Sequence, residues 1–436
     1  MKKFLYSVFM LAAVVLAACS NDDNSDIQPK RGMTLNASVE DLSSRATMTD
    51  ESGTWKFAFA ENDQVSVSNN KISNYYTFTN NVNQFTCADA TATTKAADWY
   101  AYFPGDEVDL TNQTGNFADV ANKFAVAGKT AQTTTGENGL SITLKPKVAV
   151  LRVVAVDKNG ILDIHVKTAD KWVKGLTAKK DAAEFTVSTS DTKTTLLHKE
   201  AGTVNAGEIN YVVVPAGVKI EIYNGDLPLN KTKDAGLTEG KYYTITSGPT
   251  KGKTNALING QETPVEWVQL WAGGPRFATQ NVAEEMTWTD AAKTGSDYVW
   301  GANWRTPTVE EVTEEGGLQA EWNTKEEKWV VKEGSPTFTF TTADDGTEET
   351  VVFTGVQPGY TKNTLTLYKK VVGDYNEFAF WTSTNDGGYG CKFIIWREDK
   401  DNKTVGFGIS KVDDPNTVKD LVRPVLSIQN ITNNKK

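Results

Sequence analysis

Val148–Val156 reads V-A-V-L-R-V-V-A-V, apolar at every position except Arg152. A run this short and this rich in valine suits a strand covered on both faces, since a half-exposed strand would alternate. Towards the N-terminus, Asp98–Pro104 (D-W-Y-A-Y-F-P) is a second strand, closed by a proline that cannot extend a ladder. Before it, Thr54–Phe59, Gln64–Ser68 and Tyr75–Thr79 alternate apolar and polar residues at period two. Towards the C-terminus follow Ile161–Val166, Glu184–Ser188, Tyr211–Val214 before Pro215, Lys219–Tyr223 and Lys241–Thr246. Asn, Asp and Gly turns separate these runs, and no helix-length periodic segment interrupts them. The pattern predicts a mainly β chain whose N-terminal half forms two β-sandwiches in tandem, at 35–143 and 144–249.

Pro249–Thr263 is polar, carries Gly, Lys and Asn, and reads as a linker over 250–264. Beyond it stand nine of the twelve tryptophans, from Trp267 to Trp396, so 265–436 reads as a separate domain with its own core. Val265–Thr279 opens that domain with a strand and a Gly turn. Thr287–Lys293 is a short helix signal. Thr308-Val309-Glu310-Glu311 is a capping box, with Pro307 before it and Gly316-Gly317 after. Phe338–Thr341, Thr350–Thr354 and Thr364–Tyr368 read as strands. Phe378–Ser383, Cys391–Trp396 and Val405–Ile409 form a closing meander.

The totals exclude several chemistries. A net charge of −10 falls to −12 once Lys2 and Lys3 leave with a leader, and the spread-out acidic balance argues against nucleic acid. Two histidines, His165 and His198, leave little for a histidine-built metal site or a histidine-dependent triad. Of the three cysteines, Cys87 and Cys391 lie in different predicted domains, and unpaired, buried thiols are expected.

Residues 1–18 have Lys2 and Lys3, an apolar run from Phe4, and Leu16-Ala17-Ala18 before Cys19. This is the build of a secretory leader, shorter than the ~20 residues of a spanning helix. Leu16–Cys19 resembles a lipobox, which implies acylation of Cys19 and cleavage before it. Residues 19–34 then read as a polar tether. Its Ser20-Asn21-Asp22-Asp23 admits two readings, a surface-export signal or a solvated spacer.

Asp63–Val67, Trp99–Pro104, Leu144–Val156, Tyr211–Pro215 and Leu237–Thr246, in that order beside a lipobox, resemble the fimbrillins, lipoprotein pilins of gut and oral anaerobes. The resemblance covers about 35–249 and implies two transthyretin-like β-sandwiches. It also implies maturation by an arginine-specific protease, after which the first strand leaves and a partner's strand enters the groove. The candidate cut lies between Arg45 and Ala46, after Leu35–Val39, with Arg31 a second candidate. Arg45 as an ordinary exposed arginine in a protein that stays lipidated is the other reading. Trp300-Gly301, Asn303–Thr308, Phe380–Thr384 and Val422–Val425 resemble the FISUMP-type domain, which implies an α+β C-type-lectin-like fold over about 265–428. In that fold these residues are scaffold. The calcium-dependent sugar motifs Glu-Pro-Asn and Trp-Asn-Asp are absent, and Cys391 lacks the second cysteine of formylglycine-generating relatives.

Other constellations are weaker. Asp399–Thr404 begins like a calcium loop but has Thr404 where glycine and Ser410 where glutamate belong. The pairs Glu284/Glu285, Glu310/Glu311 and Glu314/Glu315 suit helix surface charge better than paired acid–base work. Asn385, Tyr389, Trp396 and Arg397 form a candidate aromatic and hydrogen-bonding ligand surface, with ordinary core and turn roles as the plainer reading. The expectation is a non-enzymatic surface lipoprotein of the outer membrane or a fimbrium, without catalytic residues, metal or cofactor. Its expected partners are other pilin subunits through β-strand exchange, a host or bacterial surface glycan or protein, and the membrane through its lipid. A pilus tip or accessory adhesin is the first reading, and a non-polymerising glycan-binding lipoprotein the second.

Overall fold

The computed structural model describes residues 34–39, 59–69, 75–81, 84–87, 98–131, 139–157, 160–258, 260–281, 285–293, 300–301, 303–326, 328–342, 349–372, 375–398 and 404–426. The first unit comprises β1 (Thr34–Val39), β2 (Gln64–Asn69), β3 (Tyr76–Asn81), β4 (Gln84–Thr86), β5 (Asp98–Phe103), β6 (Glu107–Asp109), a 3₁₀ turn (Phe117–Lys123), β7 (Val126–Ala131) and β8 (Gly139–Pro146). Seven of its strands close a barrel in the order β1-β4-β3-β2-β5-β7-β8, with β1 returning onto β8. A single closed sheet thus stands where two packed sheets were expected, because β1 bridges both free edges. Gly128 allows the closure at β7: a Cβ there would overlap the Thr143 carbonyl oxygen on β8.

The second unit comprises β9 (Val148–Val154), β10 (Leu162–Thr168), β11 (Lys171–Ala178), β12 (Phe185–Ser190), β13 (Leu197–Lys199), β14 (Ile209–Pro215), β15 (Glu221–Asn224), β16 (Leu227–Lys231) and β17 (Tyr242–Thr246). One sheet runs β12-β11-β10-β15-β16. The other is β14-β9-β17, with β9 central and buried along nearly its whole length, as its composition predicts. Side chains of both sheets, among them Ile164, Ile222, Val150 and Val213, share one apolar cluster, the arrangement of a sandwich. That cluster continues without a break into the barrel through Leu35, Phe78 and Trp99. β6 leaves the barrel to pair with β11, and the buried Gln113 amide brackets Val213 from both sides, so the two units are tied by backbone as well as core.

The predicted linker is not one. Lys251–Ile258 forms β18, paired along its whole length with β19 (Gln261–Gln269), which pairs in turn with β20 (Arg276–Ala278). β18 is the edge of its sheet and only Ala256 is buried in it, so its lysines and asparagine face outward and imitate a linker composition. The sheet continues with Val425–Leu426 and then Trp304–Arg305. Two short helices follow the sequence signals: α1 (Trp288–Ala291) and α2 (Val309–Thr313), the latter with the full capping box. A hairpin (Ala320–Asn323 with Lys328–Val331), a three-stranded sheet (Thr337–Thr342, Glu349–Thr354, Thr364–Tyr368) and the expected meander complete the unit. The meander's long strands are Tyr375–Asp386, Tyr389–Glu398 and Thr404–Val412, with Lys370–Val372 added at its edge. Phenylalanines 277, 353, 378, 380 and 393 fill one core and Trp300, Trp304 and Trp381 another. The indole N–H groups of Trp304 and Trp381 donate to the Asn255 and Met286 carbonyls, and the buried Arg423 donates to Thr366 O at 2.7 Å. These residues hold loops to the core, the scaffold role expected of them. Cys87 and Cys391 are buried free thiols, again as expected.

Candidate functional site

β1 alternates as a strand seated on a barrel must. Leu35 is fully buried, Ala37 and Val39 pack against the core, and Asn36 and Ser38 turn outward. It runs parallel to β8 from Thr34↔Gly139 to Val39↔Leu144, and antiparallel to β4 at Thr34↔Thr86 and Leu35↔Phe85. β7 reaches β8 only at Leu144–Pro146. Among the described residues, the Gly139–Thr143 half of β8 therefore has β1 as its ladder partner. Arg45 lies between β1 and the next described strand in sequence, so a cut there would leave β1 held to the barrel by its ladder hydrogen bonds and by the packing of Leu35, Ala37 and Val39.

A second feature lies at the seam between the second and third units. Val154 and Val156 pack on Tyr360 and Ala272, and the amide of Gly273 donates to Val156 O at 2.7 Å. Tyr360 is fully buried. Burial first, and the Asp157 charge second, push its phenol well above the ordinary range. Beside this contact opens a mainly apolar cleft of about 360 Å³, lined by Ile161, Asn224, Leu227, Lys251, Trp267 and Arg276 among others. Arg276 Nη2 donates to Asp157 Oδ1 at 2.9 Å, and its guanidinium carbon stands 5.4 Å from the centre of the Trp267 ring. Trp267 Nε1 and Arg276 Nε are buried donors with no hydrogen-bond partner among the described residues. Two unsatisfied donors beside an aromatic face are what a ligand offering acceptors and an apolar body would complete. Among the described residues, no group of histidine, cysteine and carboxylate side chains suits a metal ion.

No protein-family profile matches the sequence. No curated protein matches it either. Several solved structures are similar to the chain, Bacteroides proteins among them. One is a Bacteroides ovatus protein provisionally assigned to cell adhesion, with 10% identity over 55% of this chain and 96% of that one, at a TM-score of 0.31. A Bacteroides uniformis protein with the same provisional assignment has 12% identity over 55% and 98%, TM-score 0.29. A fimbrial protein of Bacteroides ovatus has 14% identity over 54% of each chain, TM-score 0.24. Likeness at this level does not set a family.

The residues singled out in sequence separate into three groups. Cys19, Arg31, Arg45 and Ala46 lie outside the described residues, as does the Asp399–Lys403 stretch. Asn385 and Tyr389 meet at the exposed hairpin tip of the meander, where Asn385 Oδ1 accepts from the Gly388 amide at 2.9 Å and Tyr389 is 41% exposed. Trp396 and Arg397 sit near the other end of the same strand, roughly 23 Å away at ~3.3 Å per residue. Trp396 is half-buried, its indole lying so close over Gly406 of the adjacent strand that a Cβ there would overlap the ring. The structure brings the first pair together and keeps the second apart from it. Trp267 and Arg276 were not legible as a site, because Asp157 and Ile161 come from a unit far away in sequence.

Proposed function

We propose that this chain is made as a cell-surface, non-enzymatic lipoprotein of the fimbrillin type, acylated at Cys19 and then freed by a cut after Arg45, and that it serves as a pilus tip or accessory adhesin. The observation that carries this reading is the seat of β1. A six-residue strand lies N-terminal to Arg45, completes the barrel, and is joined to the rest of the unit by the one chain segment a cut at Arg45 would sever. Such a strand is exchangeable for a partner's, by β-strand addition. The tip position is supported by Val425–Leu426, which is used up inside its own sheet between β20 and Trp304–Arg305 and so is not a strand to donate. The third unit, on the C-type-lectin-like resemblance, is the binding end for a glycan or protein, with the Asn385–Tyr389 tip as one contact surface.

Intact mass and N-terminal sequencing of the protein from its native surface test this. A start at Ala46 supports entry into a pilus. An acylated Cys19 on every molecule overturns it and leaves the second reading, a standing glycan-binding lipoprotein. The cleft beside Trp267 and Arg276 favours that second reading, since an aromatic face with spare donors suits a sugar. Loss of glycan affinity in Trp267→Ala, with thermal stability retained, would support it.

A further inference from the structure

Three ionisable side chains meet in the interior of the third unit. Lys392 is 8% exposed, Glu377 6% and Asp420 1%. Glu377 and Lys392 project from adjacent antiparallel strands of the meander. Asp420 comes from Lys419–Asp420, a short strand paired with Met286–Thr287. Lys392 Nζ donates to Asp420 Oδ2 at 2.9 Å and to Glu377 Oε1, so both carboxyl groups are gathered on one ammonium. Lys392 therefore touches both acids. From outside the triangle, the Leu421 amide donates to Asp420 Oδ1 at 2.8 Å. Lys370 stands 3.7 Å from the same oxygen and 3.2 Å from Glu285. Trp381, fully buried, is the cross-strand neighbour of Lys392 and bonds by its backbone N–H to Leu421 O, which fixes the Asp420 segment against the meander.

We propose that Lys392 and Asp420 join in an isopeptide bond, with Glu377 as the proton carrier. Two charges taken out of water are costly to keep as charges, and here a third, like-charged group shares their site. Condensation removes the positive charge of Lys392 and the negative charge of Asp420 together. Lys392 gives one proton to the carboxyl pair, and the neutral Nζ attacks Cγ of Asp420. A C–N bond forms and a C–O bond of Asp420 breaks. The second proton lost by nitrogen passes through Glu377 to the departing oxygen, which leaves as water. The sum is an ammonium and a carboxylate giving an amide and one water, with no oxidant or co-reactant. Holding the amine against the carboxyl supplies the proximity that such a reaction lacks in solution, and burial keeps the returning water scarce. Burial foremost raises the Glu377 carboxyl above its ordinary value, which suits a group that must hold and release a proton. The product would lock the segment leading into Val425–Leu426 onto the meander.

The mass of the intact, folded chain tests the proposal. The expected result is a protein one water lighter than its sequence, with a tryptic species in which the peptides carrying Lys392 and Asp420 are linked. Glu377→Gln should restore the full mass while the protein still unfolds cooperatively, and Lys392→Arg should abolish the linked species. A folded wild-type chain at full sequence mass overturns the proposal, leaving the triad as an ion cluster. So does a water loss mapped to any other pair of residues. A Glu377→Gln protein that is still one water lighter overturns the role given to Glu377.

Discussion

Asp157 and Arg276 meet at 2.9 Å across the seam between the second and third units with opposite exposure: the arginine side chain is 7% exposed, the aspartate 51%. The pair is therefore unequal. Removing Asp157 strands a buried cation, whereas removing Arg276 leaves a carboxylate that water can reach. Asp157→Ala is expected to cost about 1–3 kcal/mol and Arg276→Met about 1 kcal/mol or less. Urea unfolding of the two variants measures the order, and the reverse order would refute the argument.

The seat of β1 predicts where a defect in it is felt. Leu35→Asp puts a charge into the barrel core and should destabilise that unit by about 3 kcal/mol or more. Hydrogen exchange gives the sharper reading. Amides of Gly139–Thr143 should lose protection while those of β9 change far less, and unaltered exchange at β8 would sink the idea.

α2 carries a pH dependence of known sign. Burial acts to raise Glu311, but the Arg305 guanidinium and the Thr308 backbone amide outweigh it and hold the carboxyl below its ordinary 4.5. A depressed folded value means the contribution is full above the unfolded value and is lost as pH falls through the folded one. The stability gap between wild type and Glu311→Gln should be constant near neutral pH and close as the solution is acidified below the ordinary carboxylate range. A gap that widens on acidification contradicts the assignment.

Trp396 lies flat against Gly406, so the two residues are one packing unit. Gly406→Ala should cost about 1–3 kcal/mol through overpacking, seen as a lower Tm. Any binding lost in Trp396→Ala must accordingly be compared with its melting curve. If Gly406→Ala melts like wild type, the ring is free to move and suits a contact role.

Cys87 and Cys391 should react with a thiol reagent in denaturant and scarcely at all when folded. Both are buried, and burial raises the Cys391 thiol further from its reactive form. Rapid reaction in the native protein would place one of them at the surface.

Much of this fold was legible. β2, β5, β9 and the meander follow from alternation or from unbroken valine, and α2 from its capping box, because each signal is local. What escaped depends on partners far away. β18 looked like a linker since an edge strand needs little apolar surface. β11, Lys171–Ala178, passed unnoticed because its lysines dilute the pattern and β6 covers it from another unit. The cleft donors Trp267 and Arg276 were visible as residues but not as neighbours of Asp157. The barrel closure was hidden for the same reason, since nothing within Thr34–Val39 announces β8 as its mate.

Val425–Leu426 has a consequence for how the molecule is made. It lies between β20 and Trp304–Arg305, yet every other strand of that sheet precedes it in the chain. A polypeptide emerging N-terminus first holds Phe277 and Trp304 with a gap between them until Val425 is out. The third unit is thereby kept open until its last strand is out and closes only late, like an arch waiting for its keystone, while the barrel and the second unit, complete by Thr246, are free to fold before it.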